Sequence, residues 1–148
     1  MTDITTTARI ERPAAVVFDH IADMEKNPSW QRGQQRCIWT SEPPLRVGST
    51  YDQVARFLGR ELRSSFEVTE LEPGRRIRIV TTGGSMPIDV TRSVEPLTDE
   101  ACEVTARVRG EPPRAMRLLG PLLDRLVRRS VRQDYERLRE QLEAEADR

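Results

Sequence analysis

The sequence predicts an α+β fold in which an antiparallel sheet of about seven strands packs against a long C-terminal helix. Segments with period-two alternation of polar and apolar residues, separated by short turns, fill most of the first 110 residues. Parallel strands would need long crossovers, so these short turns indicate an antiparallel meander. From residue 112 the apolar residues instead follow helical spacing. A chain of 148 residues fits one domain, which we expect to span residues 1–148.

Composition excludes several classes of protein. A content of 36% hydrophobic and 32% charged residues is typical of a soluble globular chain, and the net charge of zero provides no field that would attract nucleic acid. We notice no signal peptide or membrane-spanning segment, so we expect a cytoplasmic protein with reduced thiols. Cys37 and Cys102 then read as small core residues. With His20 they supply too few ligands for a zinc site, and no motif indicates a cofactor.

The N-terminal elements are predicted from alternation and from two prolines. Residues 3–10 alternate as a strand, and Pro13 suits the first turn of a helix whose apolar stripe includes Val17 and Ile21. A second short helical turn around Met24 should stop at Asn27-Pro28, because the residue before proline avoids the α region.

Six further strands are predicted after this helical pair. Two of them should be joined by a hairpin turn at Gly59-Arg60, and Gly83-Gly84-Ser85 reads as a turn between two others. The predicted strands cover residues 37–40, 50–59, 61–71, 77–83, 88–96 and 101–110.

The C-terminal helix carries an apolar stripe and an arginine-rich side. Gly120-Pro121 should kink or restart it near its beginning. The stripe consists of Met116, Leu119, Leu123, Leu126, Val127, Val131, Leu138 and Leu142.

Four local motifs, in this order along the chain, resemble those of the START-like (SRPBCC) superfamily. They are RPAAVVFDHIADMEKNPSW (residues 12–30), PLRVGSTY (44–51), FEVTELEPGRRI (66–77) and VTRSVEPL (90–97). The nearest branch resembles the polyketide cyclase/dehydrase type. The resemblance implies a helix-grip fold, in which a curved sheet wraps around the long helix and leaves a cavity between them. Cavities of this superfamily hold lipids, sterols, polyketides or plant hormones.

Strand alternation and the implied fold together predict a ligand-binding surface. The same residues could instead pack a solid core, and the sequence leaves both interpretations open. The predicted ligand-binding residues are Trp30, Tyr51, Gln53, Phe57, Ser64, Phe66, Ile79, Met86, Ile88, Arg92, Met116, Leu119 and Leu123.

Several polar or hydrogen-bonding side chains lie in or near the predicted inner face. Gln53, Ser64 and Arg92 should face the core side. Arg92 should meet a carboxylate, reach solvent at the strand end, or await an anionic ligand, because a buried unpaired guanidinium is very costly. His20 lies off the apolar stripe, so we expect it to be exposed. Trp30 should form part of the cavity wall, with its ring buried and its N–H seeking a partner.

Three functions are compatible with these residues. A module that binds a small hydrophobic molecule is favoured, because no acid–base pair is evident and the catalytic residues are unknown. A polyketide cyclase or dehydratase could use Tyr51, Gln53 or Arg92 to polarise a carbonyl. A lipid carrier could place the helix arginines on a membrane, although the acidic distal half favours a solvated face. An exposed strand edge or the long helix would allow a homodimer.

Overall fold

The computed structural model describes residues 2–84, 86–112 and 114–147 and confirms the α+β fold. The strands are β1 (Thr2–Ile10), β2 (Gln34–Trp39), β3 (Thr50–Phe57), β4 (Arg60–Glu72), β5 (Arg76–Gly84), β6 (Ile88–Thr98) and β7 (Ala101–Gly110). The helices are α1 (Ala14–Ala22), a 3-10 turn (Met24–Lys26), α2 (Asn27–Trp30), α3 (Arg114–Arg117) and α4 (Pro121–Ala146).

The strands form one antiparallel sheet in the order β1-β7-β6-β5-β4-β3-β2. Strands β2 to β7 make the predicted meander. The first strand pairs with the last, with Ile4 opposite Val108 and Ile10 opposite Cys102. This curled sheet with its long terminal helix is the helix-grip arrangement. Helix α4 packs on β1, while α1 packs on β6 and β7.

The inner face of the sheet is the one that alternation predicts. In β4, Leu62, Ser64, Phe66 and Val68 are buried, whereas the intervening residues are not. Alternate side chains of a strand point to the same face of the sheet. Once one residue is known to be buried, the residues two positions before and after it are therefore expected on the buried face as well. This face and the buried stripe of α4 enclose the hydrophobic core.

The 3-10 turn around Met24 ends at Lys26, directly before Asn27-Pro28, but the expectation that Asn27 avoids the α region is wrong, because its φ and ψ are −50° and −45°. Asn27 begins α2, and Pro28 lies within the first turn of that helix. A proline there loses no hydrogen bond, since the first N–H groups of a helix have no partner inside it.

Two hairpin turns differ in position from the predicted ones. The β3–β4 turn consists of Leu58 and Gly59, one position earlier than predicted, with φ values of 50° and 78°. Two positive φ values suit the tight hairpin that connects twisted antiparallel strands. Of the predicted Gly83-Gly84-Ser85 turn, both glycines end β5, and Ser85 lies outside the described residues.

The predicted interruption of the C-terminal helix is confirmed. Helix α3 ends at Arg117, and α4 begins at Pro121 after Gly120, whose φ is 52°. The interruption turns the segment between the two helices outward, with consequences for Leu118 and Leu119. Among the described residues, no helix is long and apolar enough to cross a membrane.

Candidate functional site

The centre of the space between sheet and helix is filled by aromatic side chains. Trp30 is 1% exposed and meets Tyr135 of α4 edge to face, with ring centroids 4.9 Å apart. Tyr51 is fully buried and stacks on Phe66 at a centroid distance of 5.0 Å. Ring pairs at such distances stabilise a core beyond the area they bury. All four rings belong to one buried core cluster that includes residues of the sheet, α2 and α4.

Arg92 lies in this filled centre, where it is 3% exposed and forms no ion pair with a carboxylate of the described residues. Its guanidinium donates to the Ile21 carbonyl oxygen at 2.8 Å, to Asn27 Oδ1 at 3.0 Å and to Gln31 Oε1 at 3.3 Å. The guanidinium carbon also lies 4.9 Å from the centroid of the Trp30 ring. Neutral acceptors and an aromatic face thus surround the guanidinium in place of a carboxylate or solvent. Its Nε has no hydrogen-bond partner among the described residues.

Other polar groups of the centre are buried with few partners. The Tyr51 hydroxyl and the Trp30 indole N–H have no hydrogen-bond partner among the described residues, so the expected partner of Trp30 is not found. Burial raises the pKa of the Tyr51 hydroxyl, and it raises the pKa of the Cys37 thiol to about 11. Neither group is deprotonated at neutral pH. Gln53 lies beside Cys37, with Oε1 3.9 Å from Sγ.

A cavity of about 200 Å³ lies beyond this centre, between the sheet and the start of α4. We call it the helix cavity. Thr2, Gln34, Arg109 and Ser130 contribute to its wall, together with backbone from Gly110 and Pro112. Most of the wall is apolar and comes from Phe57, Leu62, Met86, Ile88, Val108, Met116, Leu123, Val127 and Val131.

Five of the predicted ligand-binding residues come together in this wall: Phe57, Met86, Ile88, Met116 and Leu123. Seven others belong to the buried face but do not line the helix cavity: Trp30, Tyr51, Gln53, Ser64, Phe66, Ile79 and Arg92. They are buried, as an inward position requires, and Trp30, Tyr51, Phe66 and Ile79 are packed in the hydrophobic core cluster.

Leu119 is the predicted residue that the structure places elsewhere. It precedes Pro121 in the turn between α3 and α4, where its side chain is 36% exposed and does not line the helix cavity. Leu119 was predicted to bind the ligand because the apolar stripe of the C-terminal helix was continued through residues 118–120. These residues form a turn, so helical spacing does not hold there.

Four of the nine apolar side chains in the wall were absent from the predicted ligand-binding set: Leu62, Val108, Val127 and Val131. A signal for each was present. Leu62 and Val108 share the inner face with predicted residues, while Val127 and Val131 continue the stripe from Leu123 at four-residue spacing.

A second, larger cleft of about 800 Å³ lies at the other end of the sheet, beside α1 and the loop between β2 and β3. Phe18, Trp39, Leu45 and Leu71 form its apolar part. Two of the four carboxylate residues that line it accept hydrogen bonds from the protein. Asp23 accepts from the Trp39 indole N–H at 3.3 Å, and Glu25 accepts from the Trp39 backbone N–H at 3.0 Å.

The expectation of an exposed His20 is wrong, because this side chain is 8% exposed. The end of α4 covers α1 here, and Gln141 and Glu145 lie close to the imidazole. Burial, together with the charge of Lys26, lowers the pKa of His20. His20 lines neither of the two hollows described above.

The His, Cys, Asp and Glu side chains of the described residues do not form a metal site. Within residues 2–84, 86–112 and 114–147, no three His, Cys, Asp or Glu side chains are placed to hold a metal ion. Both cysteines are buried as free thiols.

Comparison with known proteins identifies relatives of the sequence and of the fold. A sequence profile for the family described as polyketide cyclase / dehydrase and lipid transport matches residues 1–146. No curated protein matches the chain significantly.

Solved structures share the fold at low sequence identity. A protein from Thermus thermophilus is 19% identical, with a TM-score of 0.81 over 96% of this chain and 97% of that one. A START superfamily protein from Mycobacterium smegmatis is 16% identical, with a TM-score of 0.74 over 99% and 98%. The Zhui aromatase/cyclase from Streptomyces sp. R1128 is 12% identical, with a TM-score of 0.74 over 94% and 92%. These TM-scores demonstrate a common fold, and fold alone does not assign an activity.

Proposed function

Because the chain belongs to the polyketide cyclase / dehydrase and lipid transport family, we propose that it binds a small hydrophobic or amphipathic molecule in the helix cavity. The observation that carries the proposal is the chemistry of the cavity wall. Nine apolar side chains face one hollow at the position where this fold leaves room between sheet and helix. Ligand pockets are typically lined in this way, with a few polar groups that set orientation.

The size of the helix cavity restricts the ligand. A volume of about 200 Å³ is larger than the roughly 150 Å³ of an engineered apolar cavity that stays dry and binds benzene. One or two fused rings or a short acyl segment fit this space. A longer molecule must extend through the mouth or displace Met86 and Met116, whose thioether side chains change conformation easily.

Binding is favoured over cyclisation or dehydration because the three residues expected to polarise a carbonyl lie outside the helix cavity. Tyr51, Gln53 and Arg92, which could polarise a carbonyl, do not line the helix cavity. The Arg92 guanidinium already donates to three neighbouring acceptors. A bound chain would have to displace those contacts before it could use the charge.

Native mass spectrometry of freshly purified protein, before and after denaturing extraction, tests the proposal. We expect a mass surplus that disappears on extraction, and the extract identifies the ligand. The emptied protein should then bind 1-naphthol in calorimetry with a negative heat-capacity change, as burial of apolar surface requires.

A cavity-filling variant locates the binding. Val108→Phe places a ring in the helix cavity, so 1-naphthol affinity should fall at least about tenfold while the midpoint of thermal unfolding stays level or rises. Val127→Phe fills the cavity from the helix side if the first variant is overpacked. Val47→Phe is the matched control, since Val47 is 58% exposed and outside the cavity. Equal affinity in all variants, or no uptake of 1-naphthol, would contradict the proposal.

A further inference from the structure

We propose that the start of α4 and the turn before it form a docking surface for an anionic lipid bilayer beside the mouth of the helix cavity. The docking surface consists of Leu118, Leu119, Leu122, Arg125 and Arg129. Its purpose rests on the proposed ligand binding, but its existence can be tested separately.

The leucines of the docking surface are exposed to an unusual degree. Leu118 is 91% exposed, Leu122 52% and Leu119 36%. Single exposed leucines are common on protein surfaces, whereas three within five residues form a contiguous apolar patch. The break between α3 and α4 turns these side chains away from the core, so packing against the sheet does not account for them.

Arginines continue the same outward face of the helix. Leu122, Arg125 and Arg129 follow each other at spacings of three and four, which places them on one side of α4. Both arginines are exposed, and neither forms an ion pair within the described part of the chain. Apolar side chains next to unpaired cations are the composition that binds the interface of an anionic bilayer.

Charge is divided along the terminal segment. Residues 114–132 contain six arginines and one acidic residue, Asp124. Residues 133–147 contain six acidic residues and two arginines. An anionic surface therefore attracts the beginning of α4 and repels its end, which orients the molecule with the leucines toward the lipid.

The docking surface adjoins the mouth of the helix cavity. Met116 and Leu123, on either side of the three leucines along the chain, both line the cavity. Phe57 lines it from β3, and the next residue, Leu58, is 50% exposed in the β3–β4 turn. Exposed leucines therefore neighbour wall residues along the chain both at the β3–β4 turn and at the start of α4. A bilayer seated there would let an apolar guest enter or leave without crossing water.

Co-sedimentation with vesicles of phosphatidylcholine and phosphatidylglycerol at low salt tests the proposal. The protein should bind these vesicles, bind pure phosphatidylcholine much more weakly, and dissociate as salt is raised. Leu118→Ser/Leu122→Ser should weaken the partition coefficient at least about tenfold, through lost apolar insertion. Arg125→Gln/Arg129→Gln should weaken it at least about tenfold, through lost attraction to anionic lipid.

Matched controls lie at the opposite end of the sheet. Leu97, 46% exposed, lies at the far end of β6 from the cavity residue Ile88, and Arg75 and Arg76 are exposed near the β4–β5 turn. Leu97→Ser and Arg75→Gln/Arg76→Gln should leave vesicle binding unchanged. A loss equal to that of the docking variants would overturn the assigned surface.

Failure of this inference is distinguishable from failure of the proposed function. Leu118→Ser/Leu122→Ser should bind 1-naphthol as the parent does, because neither leucine lines the helix cavity. Uptake of 1-naphthol without binding to anionic vesicles would overturn the bilayer docking surface alone. Vesicle binding without uptake of 1-naphthol would overturn ligand binding alone.

Discussion

At the scale of single residues, the most unusual feature is a charge held in the core without a charged partner in contact. Arg92 is 3% exposed, and no carboxylate forms an ion pair with it among residues 2–84, 86–112 and 114–147. Removing a guanidinium from water is costly, and several charge-assisted hydrogen bonds offset that cost. The acceptors come from the end of α1, from α2 and from the residue after α2, so Arg92 attaches these segments to β6.

Substitution of Arg92 tests this structural role. Arg92→Met should lower the free energy of unfolding by about 2 kcal/mol or more, because the Ile21 carbonyl and the Asn27 amide lose their donor in a buried place. Urea unfolding followed by circular dichroism measures the change.

The matched control for Arg92 is an arginine on the next strand. Arg107 of β7 forms a surface ion pair with Asp3 at 2.8 Å, so Arg107→Met should cost less than about 1 kcal/mol. Equal losses for the two variants would mean that the buried hydrogen bonds of Arg92 contribute no more to stability than an exposed pair does.

At the scale of secondary structure elements, the end of β5 depends on one glycine. Gly84 lies opposite Ser64 of β4 with a φ of 120°, after an irregularity in the β4–β5 register. A Cβ atom on Gly84 would lie 2.2 Å from the Arg63 carbonyl oxygen, closer than any real contact. Only glycine permits the two strands to approach here.

Two adjacent glycines provide a direct test of this requirement. Gly84→Ala should lower the free energy of unfolding by about 2 kcal/mol or more, from backbone strain together with the clash against β4. Gly83→Ala should change it by less than about 0.5 kcal/mol, since an added Cβ meets nothing within 4 Å. Thermal unfolding of both variants measures the difference. Tolerance of alanine at both positions would show that β5 can shift away from β4.

At the scale of the whole molecule, the C-terminal end of α4 holds the N-terminal elements in place. The Glu11 backbone N–H donates to Glu143 at 2.8 Å, and the Arg12 guanidinium donates to the Leu142 carbonyl oxygen at 2.5 Å. His20 is buried in the same region, close to Glu145. Contacts between residues more than 100 positions apart therefore set the environment of this imidazole.

Stability should depend on pH through His20. Its pKa is lowered in the folded protein, chiefly by burial, so below about pH 6.5 the unfolded chain binds this proton more readily than the folded one. The folded state is then most stable above that pH and loses stability as the pH falls. Urea unfolding at pH 7.5 and pH 5 should show a smaller loss for His20→Gln than for the parent. The carboxylates common to both proteins provide the internal control, and identical losses would contradict the assignment.

Agreement between the pattern and the structure was best where local periodicity is strong. The period-two segments became the strands of a single meander, and β7 was predicted to the residue. The break at Gly120-Pro121 was also predictable, because proline cannot donate inside a helix. The effect of Asn27-Pro28 was misjudged, because proline is disfavoured after a helical residue but is accepted in the first turn of a helix. Here Pro28 lies in the first turn of α2.

The candidate site was only partly predictable. Phe57, Met86, Ile88, Met116 and Leu123 were identified from the face they share. Tyr51, Phe66 and Arg92 also occupy inward positions of their strands, but they are buried in the filled centre of the protein. The five residues named above line the helix cavity instead. Periodicity assigns a side chain to a face, but it does not say how far the opposite layer lies from that face.

By itself, the sequence determined the class of the fold, the order of its elements, the inward face of strands β3 to β7 and the family to which the chain belongs. These properties follow from local alternation, turn residues and motifs of neighbouring positions. Tertiary structure alone decided where space remains, which neutral groups surround Arg92, that His20 is buried and that Leu118 and Leu122 are exposed. Each of these properties depends on which segment, distant in the sequence, packs opposite a given residue. Local sequence patterns do not specify such long-range contacts.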